Sequence, residues 1–235
     1  MKRCYLRCVS AVLVAAATTA RADDARLSVK IEGLDQTGRL MDQAAFCPPP
    51  SSSKKDISPA VSWSTGPKGT RSYALLMTDP DVPQDLSKIN KNGAVIRTND
   101  PRITVFHWVL ADIPAGMSSL AQGVESQALV PHGKPIGETD HGRRGANVYT
   151  SFLSSNPDLA GTYGGYDGPC PPMNDERPHH YALHIYALDV ATLDLNGAFD
   201  GAALEKAIRG HVLAEGVATA TYSLNPDLAA HAAQQ

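Results

Sequence analysis

The chain alternates between short runs patterned for strands and long stretches without a period. LSVKIEGL, from Leu27 to Leu34, sets apolar residues at every second position, the spacing of a half-buried strand. RSYALLMTDPDVP, from Arg71 to Pro83, is a longer apolar run closed by a proline-fixed turn, with Tyr73, Leu75, Met77 and Asp79 on one face. TVFHWVLADIP repeats that design and is closed by Pro114. HHYALHIYALDV is a third strong strand, with His179, Tyr181 and Leu183 on one face and His180, Ala182 and His184 on the other. TATYSLN is a last short strand. Only residues 200–215 change period. There Leu204, Ala207, Ile208 and Val212 share a helical face, Asp200 is placed to cap the helix, and Gly216 stops it. The turn-rich CPPPSSSKKDISP, residues 47–59, predicts a surface loop, and residues 115–178 carry many Gly, Pro, Asn and Asp with few periodic signals. Separated strands with one helix predict a single, mainly β domain of antiparallel sheets with peripheral α-helix.

The first residues change the picture of where this domain works. Lys2, Arg3 and Arg7 precede an apolar run from Cys8 to Ala20 that is too short to span a bilayer, and Ala20-Arg21-Ala22 fits a small-x-small cleavage site. Residues 1–22 are therefore expected to be an export signal cleaved after Ala22. The product would be periplasmic or secreted, with one domain over residues 23–235 and no transmembrane segment. The charged residues that cleavage removes are all basic, so the mature domain is more acidic than the net charge of −3 of the whole chain. With no basic stripe, nucleic acid and anionic membranes are poor partners. Of the 4 cysteines, Cys47 and Cys170 stay in the exported domain, where they either pair as a disulfide or remain two buried thiols.

Candidate chemistry concentrates in three places. In DPDVP, Pro80 forces Asp79 into an extended or turn conformation at a strand end, which serves a binding site or simply a capped turn. His107 opens HWVLADIP and is either a pocket residue or a core histidine beside Trp108. In GYDGPCPPMNDERPHHYALHIYALD, residues 165–189, Pro169, Pro171 and Pro172 have no N–H, while Gly168 and Cys170 do. Such a rigid turn can aim a few N–H groups at an anion, and the strand after it adds His179 and Tyr181. His180 and His184 share a face and could chelate zinc, but no third ligand has firm spacing. GxSxG, P-loop, GxGxxG and HExxH signatures are absent from the sequence.

YALLMTDPDVP, then FHWVLADIP, then GYDGPCPPMNDERPHHYALHIYAL, in that order and spacing, resemble the phosphatidylethanolamine-binding protein family, which includes the Raf kinase inhibitor-like proteins. The cysteines of FCPPP and GPCPP and the export signal resemble its bacterial branch. The resemblance implies a large central antiparallel sheet packed with a smaller sheet, and a small surface pocket for phosphate, acetate or a phosphoryl head group. It assigns ligand binding to Asp79, Asp81, His107, Gly168, Cys170, Pro172, His179 and Tyr181, with no catalytic residue, metal or cofactor, and a cis peptide before Pro83. The function it implies is exported binding of small anions or phosphoryl head groups without catalysis. Two alternatives stand beside it. One is a regulator that inhibits a partner enzyme through the pocket and the long stretch 116–165. The other is a hydrolase built on Asp79, His107 and His179, with Cys170 as nucleophile. His180 stands where the family has Arg, on the face away from the pocket. An Asp beside a histidine favours imidazolium, so the expected anion affinity is higher near pH 6 than near pH 8.

Overall fold

Strand β4 (Ser72–Pro83) is the axis of the molecule. Its sequence is apolar on both faces, as a central strand covered on both sides requires. Tyr73, Leu75 and Met77 enter one core and Ala74 and Leu76 the other. The computed structural model describes residues 25–53 and 55–228; the expected export signal, residues 1–22, lies outside the described residues.

The other strands are β1 (Ala25–Arg26), β2 (Val29–Ile31), β3 (Val61–Trp63), β5 (Arg102–Pro114), β6 (Ser119–Leu120), β7 (Gly137–Thr139), β8 (Gly142–Arg144), β9 (His179–Leu188) and β10 (Val212–Tyr222). The α-helices α1 (Tyr149–Phe152) and α2 (Gly201–Ala207) are short. Seven strands form the large sheet in the order β1-β10-β9-β4-β5-β8-β7, and β2-β3-β6 form a small one. Apart from β1 on β10, pairing in both sheets is antiparallel. The mainly β architecture is as the strand pattern predicts, and the large sheet beside a smaller one is as the family resemblance implies.

The main core lies between the sheets. Trp63 and Leu120 from the small sheet meet Leu75, Met77, Leu110, Leu183 and Ile185 from the large one. Fully burying one such side chain contributes about 1.5–3 kcal/mol. The opposite face of the large sheet is covered by Leu193, Phe199, Leu204 and Ile208, and Phe106 packs directly on Gly201. Asp200 caps α2 as expected, its side chain accepting the Ala203 N–H at 2.9 Å.

The predicted helix over 200–215 is half correct. It ends at Ala207; after Gly210 turns the chain at φ +84, residues from Val212 run as β10. The apolar spacing of Leu204, Ala207, Ile208 and Val212 thus crosses an element boundary. Gly216 does not stop a helix; it lies inside β10 because the Leu27 carbonyl passes within 2.3 Å of where a Cβ would sit. The stretch 116–165 also carries structure: β6, β7, β8 and α1, with β8 extending the large sheet beyond β5. Every described peptide bond is trans, so the cis bond expected before Pro83 is not found; Pro83 continues the ladder opposite Arg102.

Candidate functional site

β4 stays paired with β9 as far as Thr78 opposite Ala182, and the ladder ends there. Asp79, the next residue, therefore faces the end of β9 rather than a paired strand. On its other side β4 meets β5 in a broken register. Met77 opposes Trp108 and Thr78 opposes Phe106, leaving His107 as the extra residue of a β-bulge. A bulge bends the strand and re-aims a side chain, here turning the His107 ring toward Tyr181, 5.3 Å between centroids. The face alternation of β9 then brings His179 and Tyr181 inward and leaves His180 exposed.

These residues form one chain of charges. The Asp79 Oδ2 lies 2.7 Å from the His179 Nδ1 and 3.9 Å from the His107 Nε2, while its Oδ1 accepts the Asp81 N–H at 2.8 Å. The His179 Nε2 is 3.3 Å from Asp175, and Asp175 in turn takes a two-pronged pair from Arg102 at 2.5 and 3.0 Å. Burial alone would lower the pKa of His179, but its hydrogen bonds to Asp175 and Asp79 outweigh that and raise it to about 9. Burial also works against Asp175, yet the bonds from His179 and Arg102 hold its pKa below the ordinary carboxylate value.

His107 behaves in the opposite way. Burial pushes its pKa down by more than the nearby Asp79 charge lifts it. Its Nδ1 sits 2.9 Å from the Asp167 carbonyl, which can only accept, so the proton belongs on Nδ1 and the neutral ring shows a lone pair at Nε2. The two histidines therefore differ in charge preference. With a pKa of about 9, His179 keeps its charge through pH 8, while burial favours the neutral form of His107.

Tyr181 is fully buried, and its hydroxyl makes no hydrogen bond of regular geometry, although Asp79 is close enough to act on it as a weak hydrogen-bond partner as well as through its charge. Burial first, and the Asp79 charge second, push its phenol far above the ordinary value.

Other expected pocket residues are placed differently. Asp81 turns to the outer side, where the exposed His180, in the position of the family's arginine, and Arg177 bond its carboxylate at 2.8 and 2.9 Å. Burial would raise the pKa of Asp81, and those bonds lower it. The Gly168 N–H, expected to point at an anion, instead donates to Asp56 Oδ1 at 2.8 Å. The site needs glycine here because a Cβ would fall 1.8 Å from the Ala44 carbonyl. Cys170 is exposed and bonded to Cys47 as a disulfide, 4.8 Å between Cα atoms. Pro172 is buried, and its carbonyl accepts the Asp175 N–H at 3.3 Å. Tyr149 closes the His107 side; its ring lies 5.6 Å from the imidazole and its hydroxyl donates to the Gly168 carbonyl at 2.6 Å. As a result Asp79, His107, His179 and Tyr181 are at most 4 % exposed. A surface hollow of about 590 Å³ runs along β1 and β10 from Arg26 to Val217 and contains none of these residues.

The fold and this cluster define the class. The family described as "Phosphatidylethanolamine-binding protein" matches residues 35–223, and the chain belongs to that family of binding proteins. Its relatives include the Escherichia coli UPF0098 protein YbcL, 27% identical over 170 residues, with 72% of this chain and 73% of that protein covered. A UPF0098 protein of Chlamydia muridarum is 30% identical over 166 residues, covering 71% and 82%. The crystal structure of E. coli YbcL, described as a member of the mammalian PEBP family, superposes with a TM-score of 0.57. It has 22% identity and covers 85% of this chain and 99% of that one. A PEBP homologue from Chlamydia trachomatis gives a TM-score of 0.56 over 84% of this chain.

Sequence patterns missed Asp175, Arg102, Tyr149, Asp56 and Asp167. Asp175 lies in the quoted turn, four residues before His179, but in irregular backbone no period points to it. Arg102 precedes the apolar run that marks β5, and Tyr149 and Asp56 lie in stretches without a period.

Proposed function

We propose that the protein is an exported binder of zwitterionic phosphoryl head groups of the phosphoethanolamine kind, acting without catalysis. The observation that carries this is the Tyr181 hydroxyl, a buried donor without a hydrogen bond of regular geometry, set beside an imidazolium held between two carboxylates. A buried hydroxyl without a partner is costly, and a ligand oxygen would satisfy it. His179, Arg102 and Arg177 are matched by Asp79, Asp175 and Asp81, so the site has no large excess of positive charge for a bare anion. A head group carrying both charges suits it better: the phosphoryl oxygens take the Tyr181 hydroxyl, and the ammonium finds Asp79 and the His107 Nε2 lone pair. Entry requires local movement around the site, because the groups themselves are buried.

The hydrolase alternative loses its nucleophile, since Cys170 is in the disulfide. The partner-protein alternative has less support, since Val130 and Phe152 are the exposed large apolar side chains of the stretch 116–165. Titration calorimetry of the oxidised protein with phosphoethanolamine, inorganic phosphate and ethanolamine tests the reading. Phosphoethanolamine is expected to bind most tightly, and His107→Ala is expected to abolish binding. Binding should fall above about pH 9 as His179 loses its proton. Absence of binding by folded wild-type protein overturns the proposal.

A further inference from the structure

Beneath the Gly168 turn lies a second buried cluster that head-group binding does not use. Lys134 comes from the stretch before β7, Asp56 from the loop before β3, and Asp167 from the turn itself. Asp56 and Asp167 are fully buried and Lys134 is 8 % exposed. The Lys134 Nζ is 2.5 Å from Asp167 Oδ1 and 3.8 Å from Asp56 Oδ2. The Asn147 amide donates to the other Asp167 oxygen, Oδ2, at 2.6 Å. Burial first, and the charges of Asp56 and Asp167 next, raise the phenols of Tyr149 and Tyr166 well above the ordinary value.

We propose that Lys134 and Asp167 condense in the folded chain to an isopeptide bond, with Asp56 as the proton shuttle. The amine and the carboxyl carbon are held together by backbone that cannot easily move. A Cβ on Gly133 or Gly161 would fall 2.1 Å from the carbonyl oxygen of Thr162 or His132, and one on Gly164 would fall 2.4 Å from that of Pro135. The two segments therefore lie flat against each other, and preorganisation of this kind makes a slow bimolecular step effectively unimolecular. Asp56 itself sits at φ 61, a strained conformation for a residue with a side chain. Burial and the neighbouring Asp167 charge raise its pKa to about 8, so it holds a proton at neutral pH.

The step balances without any co-reactant. The Lys134 ammonium passes a proton to Asp167 Oδ1, giving a neutral amine and a neutral acid. The amine nitrogen attacks Cγ, and the displaced electron pair moves onto Oδ2, against the Asn147 N–H. As the Cγ–Oδ1 bond breaks, Asp56 gives its proton to the departing oxygen and regains one from nitrogen, so one water leaves. The products are a neutral amide, an unchanged Asp56 and water. The exchange removes two charges from a site where keeping them desolvated is costly.

Intact-mass measurement of the folded, full-length product tests this. Its mass is expected to fall below the sequence mass by one water, about 18 Da, beyond the loss from the disulfide. Digestion in denaturant should then give a branched peptide joining Lys134 to Asp167. Asp56→Asn, which keeps an acceptor for the Gly168 N–H, should fold and remain unjoined; full joining in it refutes the shuttle. Wild-type protein that keeps its full mass after prolonged incubation overturns the proposal. So does a water loss found in a linear peptide at Asp167-Gly168, or one that persists in Lys134→Met, because those mark an imide.

Discussion

Tyr181→Phe separates stability from binding at the candidate site. The hydroxyl is fully buried and makes no hydrogen bond of regular geometry in the free protein, and leaving such a group without a bond costs about 1–3 kcal/mol. Removing one oxygen leaves a void of roughly 15 Å³, which at about 24 cal/mol per Å³ costs about 0.4 kcal/mol. The variant is therefore expected to be more stable than wild type by about 1 kcal/mol when no ligand is present. Its affinity for phosphoethanolamine should nevertheless fall at least about tenfold, because the lost bond goes to a charged oxygen and 1.4 kcal/mol is a factor of ten. Urea unfolding without ligand gives the first quantity and calorimetry the second. A variant less stable than wild type by 1 kcal/mol or more would mean that the hydroxyl is already bonded in the free protein. That result would remove the main support for a ligand oxygen at this point.

The raised pKa of His179 has a consequence for stability against pH. Its value in the fold is about 9 against about 6.5 unfolded, so its contribution is complete below about pH 6.5 and is lost as pH rises through 9. The shift corresponds to about 3 kcal/mol, read as the difference in unfolding free energy between wild type and His179→Gln; a difference that does not change with pH would contradict it. Asp56, raised to about 8, makes folding less favourable over a lower window, from its ordinary value up to pH 8, and Asp56→Asn should remove that slope in the same titration. Reduction of Cys47–Cys170 opens a loop with a sequence separation of 123. In the chain-entropy account that loop is worth about 5 kcal/mol, so a reductant should lower the urea midpoint of wild type and leave Cys47→Ser unchanged.

The three strands that carry the site were legible because each is a long apolar run with a marked end. Asp-Pro marks β4, Pro114 marks β5, and the alternation of His179, Tyr181 and Leu183 marks the inner face of β9. Legibility stopped where tertiary contacts override a local pattern. The helical spacing from Leu204 to Val212 gave no sign that Gly210 would turn the chain. Gly216 reads as a stop only if the crossing Leu27 carbonyl is unknown. Asp79, His107, His179 and Tyr181 could be named by resemblance to the family, but their charge states could not. Those depend on Asp175, Arg102 and the Asp167 carbonyl, which reach the site from turns and strand ends without periodic signature. The Gly168 N–H reads as a ligand donor because the sequence does not show that Asp56 comes to accept it.

The Cys47–Cys170 bond also bears on how the molecule matures. Of the large sheet, β4, β5, β7 and β8 lie between its two cysteines in sequence, inside the loop that the bond closes. Contacts so distant along the chain form slowly and late. Cys4 and Cys8 lie within the segment expected to be removed on export, so the mature chain has no other thiol with which either partner could mispair. A bond that closes so long a loop is expected to form after the strands inside it have paired, so the fraction of free thiol in a fresh preparation would report chains that have not yet folded.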